Sequence, residues 1–161
     1  MLVRRLSFPL LVVLLVGCSA TSSDGASGIS SGKAPETLRQ AQALWNAKGV
    51  STYQVTVTQT CFCPPDLRQP LRVSVAGREV VDVAGLEQPL KHRENLDASR
   101  LTVDGLFHFI EQSAQRVPHK LEVEYDTRFG FPRRIDYDGH EMIADDEFQY
   151  ELTDFSAGDA D

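Results

Sequence analysis

The chain has 161 residues and a formal charge of −7, with 42% hydrophobic and 24% charged side chains. That composition is globular, and the length suits one core rather than two comfortable domains. An acidic chain is excluded from binding nucleic acid or anionic headgroups, because phosphate binding runs on Lys and Arg.

Arg4 and Arg5 precede an apolar run from Leu6 to Val16, which closes on Gly17 and Cys18. This is the layout of a secretory signal, residues 1–17. The run is too short for a spanning helix, which needs about 20 apolar residues. Loss of Arg4 and Arg5 with the signal takes the formal charge from −7 to −9. A cysteine directly after the small residue resembles the lipobox of bacterial lipoproteins. The resemblance implies cleavage before Cys18 and attachment of diacylglycerol to it. Two acyl chains hold a protein to a membrane where one is marginal. In a Gram-negative source, Ser19 in place of Asp implies the outer membrane, with the domain facing the periplasm.

Residues 18–34 form a Ser/Gly-rich tether after the lipidated cysteine. Such a segment cannot bury enough surface to offset ordering, and its root-mean-square reach is about 20–25 Å. A single domain is expected over residues 35–155, and residues 156–161 are expected to be a frayed acidic tail.

The first helix is predicted from Pro35 to about Lys48. Pro35 suits the first helical position and Gly49 the left-handed stop. Leu38, Ala41, Leu44, Trp45 and Lys48 share a face. Tyr53, Val55 and Val57 alternate with polar residues as a strand. Leu71, Val73 and Val75 repeat the pattern before a Gly77 turn into Val80–Val83. Thr102 caps a second helix whose inward face is Val103, Leu106, Phe107, Ile110, Ala114 and Val117, ended by Pro118. Leu121, Val123 and Tyr125, then Ile135 and Tyr137, then Phe148, Tyr150 and Leu152 supply three further strands. The fold class is α+β: an antiparallel sheet with two helices packed on one face. The two halves are open to being a degenerate repeat of one helix-plus-meander unit.

Cys61-Phe62-Cys63-Pro64-Pro65 is the sharpest local signal. In the register of Tyr53, both cysteines fall on the apolar face and Phe62 on the other. With Cys18 assigned to lipid, Cys61 and Cys63 have no other partner in an exported chain, and a disulfide between them is the leading reading. Two extended residues span about 6.6 Å, near the upper limit for bridged α-carbons, so the strand must tighten there. A redox-active pair is a second reading. A soft-metal site for copper or zinc, with His119 or Met142, is a third.

The acids at Asp136, Asp138, Glu141, Asp145, Asp146 and Glu147 invite a calcium site or a glycosidase pair. The twelve-residue calcium ligand pattern is missing, and Asp138-Gly139 reads as a solvated turn. His92, His108, His119 and His140 are scattered. The sequence contains no nucleophile elbow, HExxH or phosphate-cradling loop. No catalytic residue, cofactor or metal ligand is therefore assigned.

Trp45, Tyr53, Cys61-Phe62-Cys63, Val73-Ser-Val75, Thr102-Val-Asp104-Gly-Leu-Phe107, Val123-Glu-Tyr125-Asp126, Gly130-Phe-Pro132 and Asp145-Asp146-Glu147 occur in that order after the lipobox. This order resembles bacterial envelope proteins of domain-of-unknown-function family 6174, across most of residues 36–155. The resemblance implies a lipoprotein or secreted single domain and supplies no activity. The layout is also similar in architecture to periplasmic modules of the PepSY and β-lactamase-inhibitor type. The function expected is a membrane-tethered, noncatalytic binding or structural module for another envelope protein. The alternative is thiol-redox or soft-metal handling by Cys61 and Cys63.

Overall fold

The computed structural model describes residues 33–158. The signal 1–17, Cys18, the tether as far as residue 32, and residues 159–161 lie outside the described residues.

Helix α1 (Leu38–Lys48) starts later than predicted. Thr37 is its cap: Thr37 Oγ1 accepts the Gln40 N–H at 3.3 Å, and Gln40 Oε1 accepts the Glu36 N–H at 3.0 Å. This Thr-x-x-Gln pairing satisfies free backbone donors and outranks Pro35, which stays outside the helix. The stop is as expected, with Gly49 left-handed at φ 64°. Ala41, Leu44 and Trp45 are buried. Lys48 does not join them. It is exposed, and its Nζ lies 6.0 Å from the Phe129 ring centre.

Strands β1 (Tyr53–Thr60), β2 (Leu71–Ala76) and β3 (Glu79–Gly85) form an antiparallel meander. The β2–β3 turn is Gly77-Arg78, with φ 62° and 71°. Two left-handed residues match the twist of a two-residue hairpin. Helix α2 (Val103–Gln115) begins at the expected cap, where Thr102 Oγ1 accepts the Gly105 N–H at 2.9 Å. Its far end departs from expectation. Ser113 is buried, Ala114 is exposed, and Val117 is 86% exposed with φ 52°. The helix ends at Gln115, so the inward stripe never reaches Val117, and Pro118 disfavours right-handed helical backbone there.

Strands β4 (Lys120–Tyr125), β5 (Pro132–Asp138) and β6 (Glu147–Ala157) complete a six-stranded antiparallel sheet of order β3-β2-β1-β6-β5-β4. Both helices cover one face. Trp45, Val103, Leu106, Phe107 and Ile110 join one core with Val55, Val73, Ile135 and Leu152. The α+β expectation holds.

The repeat is not confirmed. Laying β1–β2–β3 on β4–β5–β6 keeps the order across the sheet and the helix face but reverses strand direction. That is a mirror operation, and no rotation of one handed unit gives it.

The boundary expected at residue 155 also moves. Ser156 and Ala157 pair with Gln54 and Tyr53, and Gly158 N–H donates to Thr52 O at 2.8 Å. A bulge makes this possible: Gln54 pairs with Ser156 but Thr56 with Thr153, and Asp154 has φ 49°. The extra residue shifts the inward alternation by one. Phe155 thereby turns onto Phe131, Tyr53 and Trp45, at centroid distances of 4.6, 5.4 and 5.9 Å.

Candidate functional site

The inward register of Tyr53, Val55 and Val57 continues to Gln59, a buried polar residue at an apolar position. Gln59 Nε2 donates to Leu67 O at 3.0 Å, which fastens the β1–β2 loop beneath itself. β1 stops at Thr60. The Cys61 and Cys63 α-carbons are 5.3 Å apart and the pair is disulfide-bonded. The backbone has tightened below the extended spacing, and Pro64 and Pro65 rule out normal pairing beyond. Phe62 stands 88% exposed. Cys61, Phe62, Cys63, Pro64 and Arg68 line a shallow hollow of about 320 Å³.

Below this tip lies a polar brace. A 3-10 turn (Pro65–Leu67) buries the Asp66 side chain. Asp66 Oδ2 accepts the N–H groups of Lys91 at 2.7 Å and His92 at 3.0 Å, and Oδ1 lies 2.7 Å from His92 Nδ1. Desolvation raises the carboxyl's pKa, but the His92 ring and those backbone donors outweigh it and hold it at about 2. Gln69 is the second post. Its Nε2 donates to Asp66 O at 2.7 Å and Gln88 O at 2.9 Å, while Oε1 accepts from Glu87 N at 2.7 Å and Gln88 N at 2.8 Å. Gly85 makes room for it, since a β-carbon there would meet Gln69 Nε2 at 2.5 Å.

The depressed Asp66 pKa gives a pH expectation with a definite sign. Ionised Asp66 is favoured in the folded state over the ordinary value of 3.8, so its contribution is present above that value. It is lost as pH falls toward about 2. The thermal midpoint should drop across that window, and Asp66→Asn should flatten the drop. Parallel acid profiles for the two proteins would exclude Asp66 as the titrating brace.

The other candidates fall as follows. Met142 is 83% exposed, and His119 N–H donates to Gly139 O at 3.4 Å. His108 is exposed beside Gln112, with 2.9 Å between His108 Nε2 and Gln112 Nε2. Among the described residues, no three His, Cys, Asp or Glu side chains are grouped to hold a metal ion. While the bridge is intact, neither Cys61 nor Cys63 offers a thiolate. Sequence reasoning missed Gln59, Asp66 and Gln69, and left His92 as one of four scattered histidines. Gln59 alone carried a legible flag, a polar side chain at an inward strand position.

Antiparallel pairing brings several loops to the same end of the sheet. Thr60 pairs with Gln149, Lys120 with Asp138, Asp138 with Glu147, and Leu71 with Gly85. Phe62, Leu86, Val117, Met142 and Ile143 therefore all stand at this one end. Val81, on the β3 edge, is the other exposed large apolar residue among the described ones. Ala34 and Pro35, just after the described chain begins at Lys33, line a hollow with Val123, Tyr125 and Arg133 at the opposite end.

Fold and site together define a single α+β domain that presents a disulfide-tipped, polar-braced crown of loops. The family model described as "Family of unknown function (DUF6174)" matches residues 37–157, and the chain belongs to that family. No curated protein and no solved structure matches the chain.

Proposed function

We propose that the chain is an envelope lipoprotein, held to the membrane through lipidated Cys18, whose domain is a noncatalytic binding module for another envelope protein. The setting is the outer membrane, facing the periplasm. One observation carries the reading: Phe62 is fixed in water on a bridged loop that Gln59, Asp66 and Gln69 hold from below. Presenting a large apolar side chain on a rigid support lowers the cost of ordering when a partner binds.

The anchor is tested by metabolic labelling with palmitate, expected in the parent and lost in Cys18→Ala. Equal labelling of the two would remove the anchor from the proposal. The module is tested with a photo-crosslinker at position 62 in intact cells. A discrete protein adduct supports binding, and its absence would overturn it. A mixed disulfide trapped when Cys63 alone is replaced by Ser, or copper or zinc bound by the reduced protein, instead favours the thiol-redox or soft-metal alternative.

A further inference from the structure

We infer, building on the binding-module reading, that the loop crown, at the end of the domain opposite the tether, docks a protein surface that is apolar with a basic flank. Three features converge on this occupant.

The first is apolar. Phe62, Val117 and Met142 are each more than four-fifths exposed, at 88%, 86% and 83%, and all stand at one end of the sheet. Scattered single apolar residues need no explanation, but several gathered at one end do. The second is charge. The β5–β6 loop reads Asp-Gly-His-Glu-Met-Ile-Ala-Asp-Asp-Glu from Asp138 to Glu147, with five acids and no Lys or Arg. Lys120, the cation at the start of β4, is engaged with Asp136 at 2.6 Å and Glu122 at 3.5 Å. Asp138 Oδ1 and Asp146 Oδ1 are buried and have no hydrogen-bond partner among the described residues. Met142 and Ile143 thus project from an acidic loop, which attracts a cationic surface and repels anionic lipid, whereas Arg68 beside Phe62 and Arg116 beside Val117 make the flanking loops less acidic. The third is direction. The chain enters the domain at the opposite end, beside Val123 and Tyr125, so a tether joined there does not cover the crown.

The occupant is thus a protein rather than the bilayer. A second copy, with the same acidic β5–β6 loop, would meet like charge there.

The probe is a short labelled peptide alternating leucine and lysine, offered to the full chain in zwitterionic nanodiscs with empty discs subtracted. A leucine–glutamate peptide and anionic phosphatidylglycerol vesicles are the comparisons. Anisotropy should show binding of the cationic peptide only. Phe62→Ser with Met142→Ser, and separately Glu141→Gln with Asp145→Asn, should each weaken it by about tenfold, the effect of removing one well-buried contact. Glu79→Gln with Asp82→Asn, two acids on the β3 edge, should leave it unchanged. These side chains are exposed, so the variants keep the fold, and matching far-UV spectra check that. Equal weakening by crown and edge variants would overturn the inference. So would equal binding of the glutamate peptide, crown-dependent binding of vesicles, or no binding at all. Any of these would leave palmitate labelling of Cys18 and the adduct at position 62 standing as separate tests of the wider reading.

Discussion

Trp45→Ala should lower the unfolding free energy by about 3–5 kcal/mol, the cost of removing a large buried aromatic without refilling its space. Trp45 is 1% exposed and meets Tyr53 and Phe155 edge-on, at centroid distances of 5.6 and 5.9 Å. It therefore joins α1 to both central strands, β1 and β6. Its Nε1–H also donates to Asp104 Oδ1 at 3.3 Å, and Asp104 in turn accepts from Arg78 Nε at 3.0 Å. Removing the indole leaves a cavity at the junction of two helices and the sheet, and withdraws a donor from the Asp104–Arg78 pair. Trp45→Phe separates the two effects. It keeps most of the apolar contact and loses the hydrogen bond, so about 1 kcal/mol from that bond is expected beyond the packing loss. Trp45 is the sole tryptophan, so urea titrations should be followed by far-UV circular dichroism rather than fluorescence. An unfolding midpoint for Trp45→Ala no lower than that of the surface control Phe62→Ala would contradict the placement of Trp45 in the core.

Where sequence reading succeeded and where it failed follows from the range of the physics involved. Alternation at Tyr53, Val55 and Val57 and helical spacing at Val103, Leu106, Phe107 and Ile110 are local periodicities, and all seven residues are buried. The Thr37 cap was also local, but a proline two residues earlier drew the helix start toward itself. Val117 is misplaced because the spacing is carried two residues past the last helical residue, Gln115. Phe155 was harder to read. Its inward position depends on a bulge opposite β1, and the three-residue step from Leu152 to Phe155 looks like lost periodicity until β1 is in place. The crown's brace was least legible of all. Asp66 and His92 are separated by 26 positions, and Gln69 reaches backbone 18 and 19 positions away. Each side chain alone reads as a solvated loop residue. Only the meeting of the β1–β2 loop with the segment after β3 makes them structural.

The largest effect at the crown should come from Gln69→Leu. Leucine has nearly the volume of glutamine, so the packing changes little and the polar contacts are isolated. Gln69 is 4% exposed and spans four backbone groups: two carbonyls through Nε2 and two N–H groups through Oε1. A buried backbone group left without its partner costs about 1–3 kcal/mol, and water recovers part of that where the site is half-open. Three of these four bonds are partly buried and one is buried, so a net loss of about 2–4 kcal/mol is expected. Hydrogen exchange should locate it, with protection falling at Glu87 and Gln88 and at the β1–β2 loop while the α2 amides stay slow. Uniform loss across the sheet, or unchanged protection at Gln88, would show that Gln69 does not brace the crown. The same variant separates contact from preorganisation. Phe62 remains in place, so if crown affinity falls with Gln69→Leu while α2 stays protected, the loss comes from freedom regained by the loop. A brace of backbone hydrogen bonds then does for this short loop what a larger core does elsewhere, holding an apolar side chain in water at a fixed position.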